Sequence, residues 1–288
     1  MKACLSRRIS CVLGAVALGI TAAPAAANHP AGEGGSPSKP TVNMELVLRA
    51  AQLDPHRAAS ATTLHAKPSV RRVQRQLVRK HFLPGPGAVD GQFGNQTKSA
   101  YAAWQRHLGY SGLDASGLPG PSSLARLLGR RFTLIRAVSA GSRTTYDGHT
   151  VNTRTAAMLR AASHRLGTQC HLGITQGSYN PGGVGASAGT HDGGGAADLD
   201  MGRLCGKRTR RVVRALRIVG FAAWHRTPIP GVWGEHIHAI AISDPDLAPA
   251  AQDQVWDYYT HHDGLADNAA DQGPRVGFHT WEQYRRTH

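Results

Sequence analysis

At residues 191–198 the chain reads His-Asp-Gly-Gly-Gly-Ala-Ala-Asp, and at 236–238 it reads His-Ile-His. In the second segment the two-residue period of a strand puts both imidazoles on one face, with Ile237 and Ala239 on the other. In the first, His191 and Asp198 flank side chains that are mostly too small to obstruct them. Together the segments supply a three-ligand site, so the C-terminal half must fold to bring a glycine-rich loop against a strand. Histidine, aspartate and histidine leave the fourth position of a tetrahedral zinc ion open, as catalysis requires. An ion held in this way polarises a peptide carbonyl and activates water, which makes hydrolysis the natural reaction.

A general base is still needed. His236 shares the strand face of His238, whereas Glu235 would point to the opposite face of a regular strand and can help only from a turn after Gly234. Both stay candidates. The chain has 16 histidines, so a lone one says little; the pair His261-His262 lacks partners in sequence and is expected at the surface. Trp224, His225 and Trp233 lie close to the second segment, where they either shape a cleft or pack, and packing is the simpler expectation.

A length of 288 residues suits two modest domains plus a non-folding end. With 41% hydrophobic residues the chain is too apolar for disorder and too interrupted for a multi-span membrane protein. Lys2, Arg7 and Arg8 precede an apolar run from Ile9 to Ile20, and Ala25-Ala26-Ala27 follows it. This is the layout of an export signal over residues 1–27, by the general or the twin-arginine route, and the run is too short to span a bilayer. Cys11 sits at the start of the run, which argues against a lipid-modified cysteine; no membrane anchor is expected. Cys170 and Cys205 then remain, an even pair in an exported chain, expected to form a disulfide.

Residues 28–40 are mostly Gly, Pro and Ser and read as a linker. From 41 to 131 the pattern is helical, with apolar stretches at Leu46, Val47 and Ala50, at Val70, Val73 and Leu77, and at Tyr101, Trp104 and Leu108. A last helix runs from Pro121 to Leu128 and stops at Gly129. From 132 to 250 helices alternate with short strands, an α+β texture: a helix over 153–166, a strand over 174–179, a helix from about Lys207 and a strand over 236–242. An aromatic-rich segment, 251–288, is expected to pack onto the domain before it.

The formal charge is +15, from 33 basic and 18 acidic residues, and the 13 basic and 4 acidic residues of 41–131 account for +9 of it. For an exported chain that excess fits peptidoglycan and the anionic polymers associated with it. The absence of a recognisable reading motif, together with the export signal, argues against nucleic acid. Oligomeric state is not encoded legibly.

Two resemblances follow from these residues. Val73-Gln74-x-x-Leu77, Asp90-Gly91-x-Phe93-Gly94-x-x-Thr97, Trp104-Gln105 and Gly117-x-x-Gly120 occur in order and together resemble the peptidoglycan-binding domain, a three-helix module of bacterial wall enzymes. Tyr101 and Trp104 are expected in its core rather than stacked on sugar. His191, Gly194, Ala196 and Asp198, followed by Glu235 and His238, resemble the HxxGxAxD and ExxH patterns of the zinc D-Ala-D-Ala peptidases and murein endopeptidases, and His236 with His238 meets the related HxH form. That resemblance implies Zn2+ on His191, Asp198 and His238, with Glu235 or His236 handling the proton. It further implies an α+β zinc peptidase domain preceded by a small all-α binding domain. The carboxypeptidases of this group hold a substrate's terminal carboxylate with an arginine in the preceding strand, where this chain has Gln176-Gly177-Ser178-Tyr179-Asn180. Cleavage within a peptide cross-link is therefore expected over release of a terminal D-alanine, unless Arg143 or Arg154 reaches the site. The expectation from a different class is a non-catalytic wall-binding protein.

Overall fold

A computed structural model describes residues 38–288. The export segment and residues 28–37 of the linker lie outside the described residues. Helix α2 (Lys67–Arg79) starts with Pro68 in its first turn, where a missing N–H costs nothing. It buries Val70, Val73 and Leu77 against Tyr101 and Trp104 of α3 (Asn95–His107) and Leu124 and Leu127 of α4 (Pro121–Leu128). Trp104 donates its indole N–H to the Ser123 carbonyl at 3.0 Å, and the Tyr101 hydroxyl meets Ser123 Oγ at 2.9 Å. Both rings are core residues, as expected.

The glutamines of the motif brace the turns between these helices. Gln74 Nε2 donates to Asp90 Oδ1 (2.8 Å), the Gln92 carbonyl (2.9 Å) and Thr97 Oγ1 (3.0 Å), while its Oε1 accepts from the Gly91 N–H. Gly91 has φ +90°, and a Cβ there would lie 2.5 Å from Lys67 Cγ, so the turn demands glycine twice over. Gln105 does the same work one turn later, donating to the Leu118 carbonyl and accepting from the Gly117 N–H.

Ahead of this module, Asn43 caps α1 (Met44–Leu53), accepting from the Leu46 N–H. Strand β1 (Thr41–Asn43) pairs in parallel with β2 (Thr133–Ile135). A hairpin, β3 (Arg143–Tyr146) and β4 (His149–Asn152), leads into α5 (Thr153–Leu166), whose first turn is capped by Asn152.

The larger sheet is antiparallel throughout, in the order β5 (Ile174–Gln176), β6 (Ala196–Asp200), β8 (His236–Ala241), β7 (Phe221–Arg226). Strand β7 was not foreseen from the sequence, and β6, which carries Asp198, lies in the segment read as a glycine-rich loop. Strand β5 stops at Gln176 rather than Tyr179, and α6 (Thr209–Val219) begins two residues later than Lys207. The sheet's side-chain alternation sorts its residues to two sides. Leu199, Ala223, Ile237, Ala239 and Ala241 pack under α5 and α6. Ala196, Ala222, Trp224 and Ile240 join a second core with α7 (Pro249–Tyr259) and the helices α1–α4. On that second side, beyond the part α7 covers, the sheet presents Asp198, His236, His238 and Arg226 in adjoining registers. The fold is α+β with a helical module, and residues Lys39–His288 form one compact unit.

Helix α8 (Trp281–Thr287) ties the C-terminus to both parts of this unit: Glu282 pairs with Arg154 at 2.8 Å, and Arg286 pairs with Glu45 of α1. Among the described residues no helix is long and apolar enough to cross a membrane. Cys170 and Cys205 are joined, as expected, across a separation of 35 positions. Cross-linking a loop of that span removes unfolded-state entropy worth up to about 4 kcal/mol. The Cys170→Ser/Cys205→Ser protein should accordingly denature at lower urea with an unchanged site; a midpoint equal to the parent's would show that the bond does not stabilise the fold.

Candidate metal centre

Pairing of β6 with β8 puts Asp198 directly opposite His238, so their side chains rise from neighbouring positions on one face. His191 arrives from the loop before β6. That loop is pinned to its surroundings by backbone bonds: Asn180 N–H to the His191 carbonyl, Tyr179 N–H to Gly193, and Gly194 N–H to Asp246. A Cβ on Gly193 would lie 2.3 Å from the Asp246 carbonyl oxygen, which is why the segment between the two ligands has no room for larger side chains.

The three residues are 1%, 8% and 6% exposed, and their ligand atoms all lie within 4.8 Å of one another. His238 Nδ1 is 2.7 Å and His191 Nε2 is 3.3 Å from Asp198 Oδ1. Tautomers give this geometry its meaning. His191 Nδ1 faces the Gly177 carbonyl at 2.7 Å, and a carbonyl only accepts, so Nδ1 carries a proton and the neutral form of the ring turns its lone pair through Nε2 into the site. Nε2 is buried without a hydrogen-bond partner. His238 Nε2 faces Gln254 Oε1 at 2.8 Å, which leaves the lone pair on Nδ1, facing Asp198. Two nitrogen lone pairs and a carboxylate oxygen thus converge on one buried point. Such an arrangement calls for positive charge among them, which a proton on the His191 ring or a bound metal ion supplies.

Burial opposes ionisation of Asp198, but the rings of His238 and His191 outweigh it and hold the carboxyl well below the usual carboxylate range. Burial lowers His238 despite Asp198. Burial also acts to lower His191, but the nearby Asp198 carboxylate and the Gly177 carbonyl outweigh it and raise that ring. His191, Asp198 and His238 could therefore hold a metal ion, and a set of two nitrogens and one oxygen suits zinc among other divalent ions.

The two proton-handling candidates are placed differently. Glu235 lies in the bend just before β8, the only place from which the sequence allowed it to help; its side chain is 46% exposed and Oε1 meets His225 Nε2 at 2.7 Å. His236 turns Nδ1 to the Gly234 carbonyl, so its Nε2 carries the lone pair, 3.9 Å from Asp198 Oδ1. Both residues line the same cavity of about 770 Å³ as the triad, with Val184, Ile229 and Val232 exposed at its rim.

Three neighbours were not read from the sequence as site residues: Gln254 of α7, Arg226 of β7 and His225 as the partner of Glu235. Only Arg226 had a local signal, two strand positions after Trp224, and that signal required recognising β7. Trp224 packs as expected, but against a candidate ligand, its ring stacked on His238 at 6.3 Å. Trp233 is half-buried, edge-on to His236. His261 is exposed and His262 half-buried, bonded to Thr260. Among the described residues, neither Arg143 nor Arg154 lines the cavity: Arg143 lies over the Tyr179 ring at 4.1 Å, and Arg154 is held by Glu282 and the Ile242 carbonyl.

Residues 66–127, which comprise α2, α3 and all of α4 but its last residue, match the family of peptidoglycan binding domains. No curated protein matches the chain. The matched region accounts for the helical module and leaves the metal centre outside it.

Proposed function

We propose that this protein is an exported zinc-dependent peptidase that hydrolyses peptide bonds of bacterial peptidoglycan. The observation that carries the reading is the convergence of His191 Nε2, Asp198 Oδ1 and His238 Nδ1 at the base of a cavity, in a chain whose helical module is a peptidoglycan-binding domain. In this reading the three side chains hold Zn2+, which supplies a Lewis acid for a peptide carbonyl and for water. His236, with its free Nε2, takes or returns the proton at the scissile bond; Glu235 is the alternative, oriented by His225. The module holds the wall polymer, with the basic excess of 41–131 directed to its anionic partners.

Cleavage within a cross-link rested on the lack of a cation for a terminal carboxylate. One observation favours release of terminal D-alanine instead. Arg226 is 6% exposed, lines the cavity, and gives Nη1 to the Asp263 carbonyl while Nη2 has no hydrogen-bond partner. A buried guanidinium with free donors is suited to a carboxylate. Mass spectrometry of products from cross-linked muropeptides and from a pentapeptide stem, each incubated with zinc-loaded protein, separates the two. Split cross-links support the endopeptidase, and free D-alanine with cross-links intact supports the carboxypeptidase. Cleavage of neither, with wall binding retained, overturns the enzyme in favour of a non-catalytic binder.

A further inference from the structure

Gln254 belongs to α7, sixteen residues beyond His238 and outside both the glycine-rich loop and the strands that carry the triad. Its carboxamide has only one orientation consistent with its surroundings. Nε2 donates to the Gly264 carbonyl at 2.9 Å, so Oε1 is the atom turned to His238 Nε2 at 2.8 Å. The acceptor is therefore fixed before the imidazole chooses a tautomer. The Gly264 carbonyl is itself one of three successive carbonyls captured by side chains around the site. Trp224 Nε1 donates to His262 at 3.1 Å, Arg226 Nη1 donates to Asp263 at 2.7 Å, and Gln254 Nε2 donates to Gly264. The segment 262–264 is thus sewn onto the metal face of the sheet.

We infer that Gln254 is a positioning residue of the metal centre: it holds the proton of His238 on Nε2 and so keeps Nδ1 free and aimed at the ion. The segment 251–288 is then part of the site rather than a cover over the domain. An imidazole ligand left without an acceptor on its second nitrogen can rotate or carry its proton on the ligating atom, and the loss of such a partner weakens metal binding by about 10- to 100-fold. The inference rests on the proposed metal site and adds to it the element that sets the tautomer.

The test is titration of the full chain with Co2+, followed by the visible absorption of the bound ion, for the parent, Gln254→Leu and Gln254→Glu. Thermal unfolding of each is measured in EDTA. Gln254→Leu should bind Co2+ about 10- to 100-fold more weakly while melting like the parent without metal. Gln254→Glu, which still accepts from Nε2–H but gives up the bond to the Gly264 carbonyl, should recover part of the affinity. Parent-like affinity in Gln254→Leu overturns the inference and leaves the metal site standing. So does a failure of Gln254→Glu to recover affinity together with a lowered melting temperature, since Gln254 would then serve packing alone. Failure of the parent to bind Co2+ overturns the metal site and this inference together.

Discussion

His238→Ala should abolish stoichiometric zinc. The parent, dialysed against limiting metal, is expected to carry about one ion per chain, as an open three-ligand site does. The variant keeps Asp198 and His191 at 3.3 Å but loses the nitrogen that lies closest to the carboxylate, at 2.7 Å. Losing a ligand should exceed the roughly 100-fold that an outer partner costs, so elemental analysis should find the variant empty and peptide hydrolysis at background. The consequence extends to stability. An ion that binds only the folded state adds about 2.7 kcal/mol at a concentration of 100 Kd, so zinc should raise the melting temperature of the parent and leave that of the variant unchanged. Undiminished zinc in His238→Ala would show that the ligand set is wrong.

The second large effect lies at Arg217, a residue 2% exposed on α6. Its guanidinium donates from Nε and Nη2 to the Ala223 carbonyl and from Nη1 to the Pro274 carbonyl, and it pairs with Asp271 at 2.8 Å. Asp271 in turn accepts from the Gly273 N–H. Asp271→Ala leaves a buried cation without its counter-charge, a change that costs about 3–5 kcal/mol. Replacing both partners by apolar residues, Arg217→Met with Asp271→Leu, should cost far less, because no charge is then stranded. Chemical denaturation of the single and double variants checks this. A single variant within about 1 kcal/mol of the parent would mean that water or another group relieves Arg217. The prediction bears on function because Asp263, Gly264 and Asp271 belong to one connection, and its first part forms a wall of the site.

Much of the site was legible because its rules are local. Strand period alone put His236 and His238 on one face, and the residues between His191 and Asp198 read as too small to obstruct them; that Asp246 backbone packs against Gly193 came from the structure. Likewise, Gln74, Gly91 and Gln105 stood in a recognisable order because each is tied to a turn fewer than twenty residues away.

What the sequence by itself determined was therefore the composition of the site and of the helical module: which residues could act as ligands, which helices would bury Leu77, Tyr101 and Trp104, and which cysteines would join. Tertiary structure decided the rest. Register between β6 and β8 set the distances, with His238 at 2.7 Å and His236 at 3.9 Å from Asp198. Packing of α7 on the sheet brought Gln254 to the second nitrogen of that ring, and strand β7 delivered Arg226 to the cavity in place of Arg143 or Arg154. These choices depend on contacts between elements far apart along the chain. Each is set by which faces can be buried together and by which donors then find acceptors, and no local period in the sequence carries that information.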